Sequence, residues 1–95
     1  MFLAIAQYTI AEGNETAVLV HVAELESASR TEPGCLAFDA YVKVGSDRRL
    51  VLIERYRSEA DFGLHRETEH FARLVLGQIV PLLEQRSVES WVLPD

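Results

Sequence analysis

Cysteine is almost missing from this chain: Cys35 stands alone, so no internal disulfide can form. Glycine is sparse, and nothing resembles the glycine-rich fingerprint of a phosphate-binding loop. There is no run of Lys or Arg and no basic patch, and the net charge is −6. That balance argues against partners with a polyanionic surface, both nucleic acid and anionic membrane. No apolar stretch reaches the roughly 18 residues that a membrane span needs. Residues 1–10 lack the basic start of a secretory leader. The expectation is a soluble, cytoplasmic protein. Linkers, low-complexity tracts and internal repeats are also missing, and 95 residues suit one domain spanning 1–95.

What is present is apolar and alternating. The hydrophobic share is 48%, ample for a core and rich for a monomer. Residues 2–10 are apolar and β-rich and stop at Ala11-Glu12-Gly13, so they read as a strand. Asn14 is placed to cap a helix opening with Glu15, an acid suited to a helix N-terminus. Val18, Val22, Leu25 and Ala28 or Ser29 recur at helical spacing, and Pro33-Gly34 ends the helix. Residues 35–44 and 49–57 read as two strands joined by Gly45-Ser46-Asp47, an antiparallel hairpin. Ser58 followed by Asp61 has the capping-box pattern with Asp in place of Glu, and a short helix runs from it to about Arg66. Thr68 can cap another helix, with Phe71, Leu74, Val75, Gln78, Ile79 and Leu82 on one face and Pro81 near its end. Residues 88–93 form the last strand.

The order β-α-β-β-α-α-β, with right-handed crossovers, gives an α+β fold. It is the ferredoxin-like split β-α-β arrangement, a four-stranded antiparallel sheet with helices on one face. A sheet with one wet face should alternate apolar with polar. These strands do not: Leu50 and Leu52 alternate with Val51 and Ile53, and Leu3 and Ile5 with Phe2, Ala4 and Ala6. The helices cover one face only. The expectation is a homodimer that buries the sheet faces opposite the helices, related by a two-fold axis.

With Glu32-Pro33-Gly34-Cys35-Leu36 before the second strand, Glu54-Arg55-Tyr56 in the third, and His65-x4-His70-Phe71 at the helix junction, nearly the whole chain resembles the antibiotic biosynthesis monooxygenase family of dimeric α+β barrels. That family includes cofactor-free quinol and anthrone oxygenases, haem-degrading enzymes and an isomerase of a phosphorylated signalling sugar. Haem degradation fits badly. Haem-degrading relatives carry an axial His where this chain has Val75, Asn where it has Ala6, and Trp where it has His65.

The candidate catalytic residues are His65 and His70. On one continuous helix, five positions would set them roughly 140° apart, unable to share a metal from one face. A break at Glu67-Thr68 could bring them together, but a His pair with no third placed ligand is a weak metal signal. No metal and no cofactor is expected. Phe62 lies three positions before His65 and shares its face, so His65 is expected to point into a cavity between sheet and helices. There a neutral imidazole can act as a base near neutral pH. The competing reading has His70 packing the helix start. Tyr41, Tyr56, Phe62, Phe71, Arg73 and Trp91 are candidates for substrate contact, with core or dimer interface as the alternative for Tyr41, Tyr56 and Trp91. Glu54, alone in an apolar strand, is expected in an interface salt bridge with Arg55 or Arg57 of the partner subunit, or with Arg73. A catalytic acid is the second reading. Cys35 reads as packing, with no cation placed to activate it.

The resemblance implies a cofactor-independent monooxygenase, without metal or flavin, that oxidises a small quinol or phenol with dioxygen. The alternatives are an isomerase or tautomerase of a small phosphorylated sugar-like compound, for which Arg66 and Arg73 are the helix-borne anion binders, and a non-enzymatic dimer that holds a metabolite.

Overall fold

The computed structural model describes residues 1–94. Its strands are β1 (Phe2–Ile10), β2 (Cys35–Val42), β3 (Arg49–Tyr56) and β4 (Leu83–Val92), all antiparallel in the order β2-β3-β1-β4. The helices are α1 (Glu15–Ser29), α2 (Glu59–His65), a π-helix (Phe71–Ile79) and a 3-10 turn (Val80–Leu82). This is the expected ferredoxin-like fold.

The pleat explains which face the helices take. In β1, Phe2, Ala4, Ala6, Tyr8 and Ile10 are buried, and so are Leu50, Leu52, Glu54 and Tyr56 opposite them in β3. From α1, Val18, Val22 and Leu25 close over this face. Each such side chain, fully buried, contributes about 1.5–3 kcal/mol. The other face carries Leu3, Ile5, Val51 and Ile53 at its centre, with Tyr41 and Trp91 to either side. No described helix covers it. Polar and charged residues, among them Arg49, Arg55 and Glu89, ring that apolar middle.

Several local expectations are corrected. The side chain of Asn14 makes no capping bond. Instead the Glu15 carboxylate accepts from the amide of Gly13, whose φ of +91° needs glycine. β2 stops at Val42 rather than Val44, because the turn around Gly45 (φ +87°) begins at Lys43. A bulge between Cys35 and Ala37 turns Leu36 outward. β4 starts at Leu83, five residues before the expected Val88. Residues 84–87 are Glu-Gln-Arg-Ser, too polar to read as strand, yet as an edge strand they need only one hydrogen-bonded neighbour, β1.

The third helical segment is also wider than expected. A π-helix closes hydrogen bonds five residues back, as the Val80 amide does to Val75, and turns about once per 4.4 residues. At that pitch Phe71, Leu74, Val75 and Ile79 share one buried stripe, and Gln78, expected on it, is exposed.

Candidate active site

The cap predicted at Ser58 forms: its hydroxyl accepts from the Asp61 amide at 3.3 Å and donates to the Asp61 carboxylate at 3.0 Å. α2 therefore starts at a fixed point and ends after two turns at His65. Thr68 makes the break that follows. Its hydroxyl donates to the His65 carbonyl at 2.8 Å and accepts from the Phe71 amide at 3.2 Å, closing one helix and opening the next. Two helical pieces separated by a turn replace one continuous rod, and His65 and His70 both reach the same carboxylate oxygen.

A third residue meets them there. Glu32 lies in the loop between α1 and β2. That loop is held against α2 at Gly34, where any Cβ would collide with Asp61, and by the Arg57 amide donating to the Gly34 carbonyl at 3.0 Å. Oε2 of Glu32 accepts from Nδ1 of His65 at 2.8 Å and from Nε2 of His70 at 2.6 Å. With the His65 proton on Nδ1, Nε2 is left as a free lone pair.

His65 is only 3% exposed. Phe62 stacks on it, Phe71 meets it edge-on, and Phe38 and Tyr56 tilt against it. Burial lowers its pKa, with the Glu32 contact opposing the shift. The ring borders a cavity of about 340 Å³ between the sheet and the helices. Ala6, Phe38 and Leu52 form the sheet wall, and Phe62, Phe71 and Val75 the helix wall. The polar groups of the lining include Glu54, Arg66 and Arg86.

Glu54 is not the interface salt bridge expected of it. Its even-numbered place in β3 puts it on the helix side, 5% exposed, with Oε1 3.8 Å from Nε2 of His65. The Tyr56 hydroxyl donates to it at 2.7 Å. Burial pushes its pKa up to about 7, helped by the negative charge of Glu32 and opposed by the Tyr56 hydrogen bond. Tyr56, itself fully buried, has its own hydroxyl pKa raised by burial and by Glu54. It backs the cavity by holding the carboxylate and packing on His65 and Phe62.

Of the other residues expected to contact substrate, Phe62 and Phe71 line the cavity. Tyr41, Trp91 and Arg73 do not. Tyr41 (55% exposed) and Trp91 (43% exposed) stand on the helix-free face of the sheet. Arg73 forms surface ion pairs with Glu24 and Glu69. Cys35 is half-buried, its thiol pushed up to about 11 by burial, which suits packing. Three residues were missed or misplaced by sequence reasoning. Glu32 stood only within a motif, Glu54 was sent to the wrong face, and Arg86 fell in residues taken for loop. The isolated acid in an apolar strand was the one usable signal among them.

Comparison with known proteins bears directly on this arrangement. The family model described as antibiotic biosynthesis monooxygenase matches residues 1–75. A crystal structure described as an antibiotic biosynthesis monooxygenase is 33% identical, with a TM-score of 0.93 and 100% of both chains covered. PA3566 from Pseudomonas aeruginosa is 29% identical, with a TM-score of 0.89 over 99% of this chain and 94% of that one. YcnE of Bacillus subtilis, named as a candidate monooxygenase, is 38% identical over 47 residues. That match spans 50% of this chain and 50% of the relative.

Proposed function

From the antibiotic biosynthesis monooxygenase family, to which this chain belongs, we propose a monooxygenase that oxidises a small quinol or phenol with dioxygen, using His65 as its base. One observation carries the reading. An imidazole held by Glu32 through Nδ1 lines an aromatic-walled cavity, with its Nε2 3.8 Å from the carboxylate of Glu54, which lines the same cavity. The cavity's 340 Å³ lies at the small end of ligand sites and suits one or two fused rings. Nε2 takes the phenolic proton, and Arg66 and Arg86 in the lining offset the charge of the anion formed. The anion reduces dioxygen directly. One oxygen atom ends in the substrate and the other leaves as water, with every electron drawn from the substrate.

The functional unit in this reading is a homodimer formed through the helix-free face, because Leu3, Ile5, Val51, Ile53, Tyr41 and Trp91 would otherwise meet water together. Arg66 and Arg86 also favour a second reading, an isomerase of a small phosphorylated compound. Oxygen uptake over a panel of quinols, in a chelating buffer and with ¹⁸O₂, separates the two. Label in the product supports the oxygenase. No oxygen uptake, with turnover of a sugar phosphate, overturns it.

A further inference from the structure

We propose that Glu32, His65 and His70 form a binding site for a divalent ion of the zinc class, behind the His65 ring as seen from the cavity. The three residues come from separate segments: the α1–β2 loop, the end of α2 and the start of the next helical piece. One ligand atom from each lies within 4.8 Å of the others. On one continuous helix the two histidines could not share a metal, and a pair alone lacks a third ligand. The break at Thr68 removes the first objection, and Glu32 removes the second.

The donor set selects the ion. Two imidazoles and one carboxylate suit Zn²⁺ or Co²⁺, whereas Mg²⁺ and Ca²⁺ prefer oxygen. Around a tetrahedral ion with bonds of about 2.0–2.1 Å, neighbouring donors lie about 3.3 Å apart. Glu32 Oε2 now sits 2.8 and 2.6 Å from the two nitrogens, and the three donors lie within 4.8 Å of one another, so Glu32 must draw back and the imidazoles must close on the ion as it enters. A loop glutamate with a partly exposed side chain can do that. Side-chain exposure rises from 3% at His65 through 12% at Glu32 to 17% at His70, which gives the ion a route in from solvent. The aromatic rings clamping His65 hold the innermost ligand in place. His65 lines the cavity, whereas neither Glu32 nor His70 does. The ion's effect on the cavity is therefore through the His65 ring, the one ligand the cavity shares.

Its control follows from proton placement. Without an ion, the His65 proton is on Nδ1, shared with Glu32, and Nε2 is free. A neutral imidazole bound to metal through Nδ1 carries its proton on Nε2. Binding thus moves one proton across the ring, releases none from it, and occupies the nitrogen that would serve as base. This last consequence rests on the reading of His65 as base; the ion site itself does not.

The test titrates Co²⁺ into the full chain after chelation and dialysis. The expected result is the visible absorption of four-coordinate Co²⁺, saturating at one ion per chain, displaced by Zn²⁺, with a rise in melting temperature. Glu32→Gln and His70→Ala should each weaken binding by at least about tenfold. No such absorption, or binding as tight as wild type in both variants, overturns the site. ¹⁵N spectra of His65 then read the proton: Nε2 should change from unprotonated to protonated on adding Zn²⁺. An unchanged Nε2 in a loaded protein overturns the coupling and leaves the ion site standing, while the oxygen-uptake assay judges the base independently.

Discussion

A base must be deprotonated, oriented and dry, and for the proposed base His65 these conditions have separate causes. Burial keeps the ring neutral, Glu32 selects the tautomer, and the surrounding phenyl rings exclude water. His65→Gln, which retains a polar side chain of similar reach, should lower turnover about a hundredfold or more, measured beside a thermal melt. His70→Ala, outside the cavity, should cost less than about tenfold. Wild-type turnover in His65→Gln would refute the assignment. Glu54 gives a stability prediction. Its pKa is raised from 4.5 to about 7, so the folded state holds this proton more tightly than the unfolded chain does. The stability it contributes is full below pH 4.5 and is lost as pH rises through 7. Glu54→Gln removes that loss. Relative to wild type, the variant should gain about 2–3 kcal/mol between pH 5 and 8 in urea melts. The face of His65 was legible because Phe62 is one helical turn away. Glu32 was not, because its role depends on a loop meeting a helix more than thirty residues further on.

Among the elements, α2 carries the most consequence for its length. Its start was readable because a cap is a local matter of Ser58 and Asp61, and the structure shows both bonds. The limits of β4 and the pitch of the π-helix were not. Pairing with β1 can recruit polar residues 84–87, and a 3.6-residue period cannot reveal a widened turn. Gly34 ties α2 to the Glu32 loop. Gly34→Ala would drive its methyl into Asp61 and disturb the pairing of Asp61 with Arg57 and Ser58. A cost of about 1–3 kcal/mol is expected, by denaturant melts. The shifted loop should also weaken the Glu32–His65 hydrogen bond, seen as a changed Nδ1 proton shift.

For the whole molecule, the open sheet face carries the proposed dimer interface. Leu3, Ile5, Val51 and Ile53 form its centre, and their apolar character was plain from strands that fail to alternate. What the sequence did not reveal was the side on which Glu54 falls. Ile53→Asp places a charge in the middle of the proposed interface and should convert dimer to monomer at micromolar concentration in sedimentation velocity. A wild-type chain that sediments as a monomer would refute the interface.

The strand order β2-β3-β1-β4 has a kinetic consequence. β1 is made before both of its neighbours, β3 and β4, with Phe2 paired to Tyr56 and to Val92. Only the β2–β3 hairpin closes locally. One edge of β1 must wait for β3, which ends at Tyr56, and the other for β4, which ends at Val92. Loop-closure entropy is spent before these distant pairings stabilise anything, which places refolding in the milliseconds-to-seconds range of non-local topologies rather than the microseconds of helical bundles.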